Sequence, residues 1–127
     1  GYAAYARSTV ETYQAIEPGT PAVLALSSGF MTYPENAHPE LQTIRRSIAT
    51  QPSTFVLLPS LDLEECVTET VRRQRARPLA HHRSDRREED VIRQRFPVYM
   101  DLPARKVSTM GQAVDIAAEI VTLISTL

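Results

Sequence analysis

The sequence predicts an α/β domain built on a doubly wound parallel sheet, and three observations carry that prediction. Two short, continuous apolar runs, Ala22 to Leu26 and Thr54 to Leu58, fit strands covered on both faces. They alternate with longer stretches in which apolar residues return every three or four positions, the period of an amphipathic helix. Strands and helices in alternation imply parallel pairing with helical crossovers. At 127 residues the chain suits one domain, residues 1 to 127, with no internal repeat and no low-complexity segment.

Taken in order, Tyr2, Tyr5, Ala6, Val10, Tyr13 and Ile16 share one helical face, and Glu17, Pro18 and Gly19 end it. Ala22 to Leu26 is the first strand, closed by the small-residue loop Ser27-Ser28-Gly29. A second helix carries Leu41, Ile44 and Ile48, with Pro39 near its start and Pro52 beyond its end. Thr54 to Leu58 is the strongest strand. Asp62 and Glu65 form a capping pair for a third helix with Leu63, Cys66, Val67 and Val71 on its buried stripe. Ser84 caps a fourth helix whose Val91, Ile92, Phe96 and Tyr99 face inward, and Pro97 forces a kink or an end. Arg105 to Thr109 makes a short last strand. Thr109 and Gln112 suit a capping box for a C-terminal helix that buries Val114, Ala117, Ile120, Val121 and Ile124.

Charge is balanced overall and concentrated locally. The formal net charge is −1, yet nine of the fourteen Lys and Arg residues fall between Arg72 and Arg95. A general polyanion binder would show its basic excess in the total. No aromatic residue interleaves the arginines from Arg72 to Arg93, so stacking platforms for RNA are missing and no nucleic-acid partner is expected. Cys66 is the single cysteine, which excludes an internal disulfide and a multi-cysteine metal site; it fits a reducing, cytoplasmic setting and an inert place in the core. No apolar run approaches the ~20 residues of a membrane span, so no membrane partner is expected. Oligomeric state is not legible.

In doubly wound folds ligands sit beyond the C-terminal ends of the strands. Three loops answer that description: Ser27 to Gly29, Pro59 to Leu61, and the arginine-rich stretch, with about residues 72 to 86 as a lid. Arginine binds phosphate or carboxylate through a planar, two-pronged fork. Most of these arginines are expected on solvated helix faces, paired with Glu64, Glu65, Glu69, Glu88 or Glu89. Arg77 and Arg95 stand apart, because Arg77-Pro78-Leu79 and Arg95-Phe96-Pro97-Val98-Tyr99 would hold each in place.

Those two motifs resemble the lid and the following R-x-P-L-Y helix of the shikimate kinases, P-loop enzymes that phosphorylate shikimate with ATP and Mg2+. The likeness extends over the whole chain. Gly1 to Gly29 lies on the family's G-x-x-x-F-R-x-x-E helix and its strand ending in three glycines, and Arg105 to Leu127 resembles the final strand and helix. The resemblance implies a P-loop kinase-like sheet and an ATP-dependent small-molecule phosphotransferase of aromatic amino acid biosynthesis. It implies Arg77 as the catalytic lid arginine on the nucleotide phosphates and Arg95 on the carboxylate of a polyol acceptor. Arg72 would lie near the adenine, and Ser27, Ser28 and Gly29 would contact the acceptor.

Departures from the family pattern are equally definite. The helix arginine that should share the carboxylate falls on Ala6, its acidic partner on Thr9, and the glycine triplet reads Ser27-Ser28-Gly29. None of the four glycines lies in a G-x-x-x-x-G-K-[ST] loop, and the sole lysine, Lys106, follows the lid. Such a loop supplies the N–H cradle, the phosphate-neutralising lysine and the hydroxyl that holds Mg2+. The given chain is therefore expected to be inactive on its own. Two explanations stay open: an N-terminal segment, with its P-loop and central strand, precedes the given sequence, or the chain is a degenerate, catalytically dead anion-binding or regulatory relative.

Other constellations are bland. His81 and His82 are adjacent and do not share a helix face, so no metal site is expected. Ser27-Ser28-Gly29 is not a nucleophile elbow, and His38 is too lightly constrained to serve as a base.

Overall fold

Apolar periodicity produces helices in this chain more readily than it produces sheet. A computed structural model describes all 127 residues, with five α-helices and two four-residue strands. The helices are α1 (Tyr2–Gln14), α2 (Leu41–Thr50), α3 (Leu63–Ala76), α4 (Asp85–Asp101) and α5 (Ala113–Ser125); the strands are β1 (Phe55–Leu58) and β2 (Arg105–Ser108). The chain divides into two compact units, Gly1–Ile48 and Ala49–Leu127.

In the first unit, α1 buries Ala6 and Val10. It packs against the second of two short 3-10 turns, Phe30–Thr32 and Glu35–Ala37. Phe30, Tyr33 and Leu41 complete a core rich in aromatic edges. The Tyr33 ring meets those of Tyr2, Tyr5 and Phe30 at centroid distances of 5.8, 6.3 and 5.6 Å, in edge-on and tilted arrangements that ring quadrupoles favour. Arg45 of α2 fastens the turn beneath them, donating to the carbonyls of Phe30 and Tyr33.

In the second unit, β1 and β2 pair in parallel, Phe55 opposite Arg105 and Leu58 opposite Ser108. The Thr109 N–H extends the ladder to the Leu58 carbonyl at 2.8 Å. Between the strands α3 and α4 form a packed helical hairpin. Both helices begin where side-chain chemistry dictates: Asp62 accepts from the Glu65 N–H at 3.0 Å, and Ser84 accepts from the Arg87 N–H at 3.1 Å. α3 stops at Ala76 because Arg77 precedes Pro78 and takes the extended φ −74°, ψ 139° that a following proline imposes. Val56, Cys66, Val67, Ala104 and Val107 are buried in this unit.

The doubly wound parallel sheet is overturned, and with it the P-loop kinase-like architecture: the chain is mostly helical and its only sheet has two strands. Ala22 to Leu26 forms no strand. It leaves the turn at Gly19, where φ is +82° and glycine relieves the strain, and runs without regular hydrogen bonding. Val23 is 98% exposed. An apolar run becomes a strand only beside another strand, and no neighbour is present.

Three smaller expectations are also corrected. Of the kink or end expected at Pro97, the end does not occur: the helix continues to Asp101. The capping box of Thr109 and Gln112 does not form. Gln112, not Thr109, is the N-cap and makes no side-chain hydrogen bond there, while the Thr109 hydroxyl accepts from Arg73. The last helix does not bury the predicted face: no residue of α5 is fully buried, and Val114 is 75% and Val121 62% exposed. Ile116, Ile120 and Leu123 are the partly covered positions.

Candidate anion-binding site

Carboxylates decide which arginines of the α3–α4 hairpin remain available. Arg72 and Arg73 both close on Glu69. The Arg72 Nε lies 3.1 and 3.0 Å from its two oxygens, and the Arg73 Nε lies 3.0 Å from Oε1. Hydrogen bonds from Arg72 and then Arg73 hold the Glu69 carboxyl well below its usual 4.5, at about 2. Glu69 in turn raises the pKa of Arg72. Arg73 also donates to the Thr109 hydroxyl at 2.9 Å and the Thr109 carbonyl at 2.7 Å, tying α3 to the C-terminal end of β2.

Further along, Arg93 on α4 spans two acids. It holds Glu64 through paired bonds of 2.6 and 2.8 Å and Glu89 through 3.0 and 2.8 Å, which lowers the Glu64 carboxyl and raises the guanidinium. Arg75 meets Asp85 at 2.6 Å, joining the end of α3 to the start of α4, and Arg83 meets the buried Glu88 at 3.0 Å. Five of the nine arginines are thereby committed to structure.

Arg77 is different. It is exposed at the C-cap of α3, and its guanidinium donates only to the uncharged Gln74 Oε1, at 3.1 Å. From Arg77 to Arg87 the chain holds four arginines, two histidines and one acid, Asp85. Asp85 is spent on Arg75, so Arg77, Arg86 and Arg87 stand without a carboxylate. Guanidinium groups not held by a carboxylate attract anions, and arginine offers them a bidentate fork.

The remaining sequence-predicted residues are placed as follows. Arg95 is half-buried in the second half of α4, ten residues and hence about 15 Å beyond Asp85 along the helix. Arg72, expected near a nucleobase, is locked to Glu69. Ser27, Ser28 and Gly29 belong to the first unit. The Ser27 hydroxyl bonds the Tyr33 hydroxyl at 2.7 Å, and the Gly29 carbonyl accepts from Thr32 N at 2.8 Å and from its Oγ1 at 3.0 Å. Ala6, where the resemblance places a second carboxylate-binding arginine, is fully buried, so an arginine there would carry its charge into packed surface.

The loops at the C-terminal ends of the strands are closed by their own polar groups. Ser60 Oγ accepts from Asp62 N at 3.1 Å, and Ser108 Oγ donates to the Pro59 carbonyl at 3.0 Å. No group of three His, Cys, Asp or Glu side chains is arranged to hold a metal ion. Sequence reasoning missed the Glu69-Arg73-Thr109 link and the tyrosine cluster around Tyr33. The three-residue step from Tyr2 to Tyr5 was the available signal for the cluster. No helix is long and apolar enough to cross a membrane. Searches of protein families, curated proteins and solved structures find no match to this chain.

Proposed function

We propose that this chain is an anion-binding domain that captures a phosphate-bearing small molecule, of the nucleotide class, on the segment from Arg77 to Arg87, without transferring the phosphoryl group itself. One observation carries the reading: beside neighbours held by carboxylates, Arg77 keeps an exposed guanidinium with only a neutral amide as partner. Arg86 and Arg87 add field and do not need to touch the ligand. The resemblance to the shikimate kinases supports the same role for Arg77 and a carboxylate-binding role for Arg95. Absence of a G-x-x-x-x-G-K-[ST] loop supports binding without turnover. A cytoplasmic setting, where Cys66 stays reduced, belongs to the same proposal.

Calorimetric titration with ATP, pyrophosphate and inorganic phosphate tests it. Arg77→Ala should weaken ATP binding at least ~10-fold, the loss of one charge-assisted contact, and Arg77→Lys should recover only part of it. Binding should fall as salt rises. Equal ATP affinity in the wild type and Arg77→Ala would refute the assignment. Formation of a phosphorylated product from ATP and shikimate would refute the binding-only reading and restore the kinase.

A further inference from the structure

Where its two strands begin, the second unit holds a cavity of about 330 Å3, at the small end of the roughly 300–1,000 Å3 range of ligand pockets. The end of α2, the turn from Gln51 to Thr54 that leads into β1, and Pro103 to Arg105 at the start of β2 line it. Every lining residue belongs to Ala49–Leu127. Ala49, Pro52, Pro103, Ala104 and Leu127 supply an apolar wall.

One cation stands at this wall without a partner. Arg105 is exposed and makes neither a hydrogen bond nor an ion pair through its side chain, whereas the neighbouring Lys106 is taken by the Leu102 carbonyl. No acidic side chain lines the cavity. The Gln51 carboxamide is equally unpartnered, although the Gln51 main-chain carbonyl accepts from the Thr54 N–H at 3.1 Å. A guanidinium fork and a carboxamide N–H are donors suited to carboxylate oxygens, and the apolar wall suits a carbon skeleton.

Two features favour a single charge over a phosphate. Phosphate cradles are built from several main-chain N–H groups, and the prolines at positions 52 and 103 have none. The last turn of α2, ending at Thr50, lines the cavity, and a helix C-terminus is partially negative, which opposes a second negative charge.

We propose that this cavity binds a small organic monocarboxylate, with its carboxylate on Arg105, Gln51 as the second donor, and its apolar body against Pro52, Pro103 and Leu127. The site is separate from the Arg77 to Arg87 segment and stands or falls independently of it.

Butyrate is the probe, with butyramide as its uncharged counterpart and inorganic phosphate as the alternative anion. In amide proton–nitrogen correlation spectra of the 127-residue chain at constant ionic strength, butyrate from about 0.1 to about 50 mM should shift the Gln51, Thr54, Ala104 and Arg105 signals saturably, with a Kd in the millimolar range. Butyramide should leave them in place. Arg105→Gln should weaken butyrate binding at least ~10-fold, the loss of one charge-assisted contact, with the rest of the spectrum retained. Gln51→Glu, on an exposed turn, should do the same by setting a carboxylate of the chain beside Arg105. Shifts that do not saturate, equal shifts from butyramide, or an unchanged response in either variant would overturn the proposal. Phosphate binding at the same amides more tightly than butyrate would overturn it as well.

Discussion

Arg93 and Glu64, twenty-nine residues apart, are joined by two parallel hydrogen bonds of 2.6 and 2.8 Å that pin the middle of α4 to the first turn of α3. Arg93→Ala should lower the melting temperature by a few degrees, and Arg93→Lys should recover less than half, because an ammonium cannot make the paired contact. Both effects should shrink in 1 M salt, as exposed ion pairs are screened within ~3 Å there. Thermal melts at low and high salt provide the check.

Glu69 gives the hairpin an acid-sensitive joint. Its carboxyl titrates at about 2 in the folded chain against an ordinary 4.5. A depressed folded pKa contributes stability above the unfolded value and loses it as protons are taken up on the way down. Wild type should therefore lose stability relative to Glu69→Gln as pH falls from about 4.5 towards 2, and the two should differ by a constant amount above pH 6. Urea midpoints across that range decide the matter.

The exposed course of residues 22 to 26 makes a sharp prediction. Val23→Asp should change stability by no more than ~0.5 kcal/mol, the usual range for surface substitutions. In a buried strand the same change would cost several times that.

Helix caps offer a complementary test. Asp62→Ala and Ser84→Ala each remove a hydrogen bond to the third residue of the helix, and each should cost about 1 kcal/mol in urea unfolding.

Cys66 is fully buried, its sulfur 3.9 Å from the Thr70 hydroxyl. It should react with a thiol reagent only after unfolding, and native labelling at the rate of a free thiol would refute its place in the core.

Local chemistry was legible in the sequence and burial only in part: Cys66, Val67, Val10 and Leu41 lie in the core as expected, while the named face of α5 does not. The caps at Asp62 and Ser84 depend on residues within a few positions and form as expected, and the strand expected over Thr54 to Leu58 forms at Phe55–Leu58. Ala22 to Leu26 and α5 were misread for one reason: apolarity states that a surface seeks cover, while the cover comes from elsewhere in space. Thr109 shows the converse, since a plausible local cap does not form and its hydroxyl accepts from Arg73, thirty-six residues earlier. Within the arginine segment, pairing with Glu69, Glu64, Glu89 and Glu88 follows from charge, but which acid takes which arginine required the hairpin.

The β1–β2 pairing sets the order in which the second unit assembles. Phe55 and Arg105, opposite each other in register, are fifty positions apart, and the α3–α4 hairpin fills the interval. Closing a loop of that length is entropically costly, whereas adjacent helices meet at short range. The hairpin, with its Arg93 and Arg75 fasteners, shortens the effective distance between the strands before they join. The sheet is thus expected to form last, and mutations in β2 should then accelerate unfolding while leaving the folding rate almost unchanged.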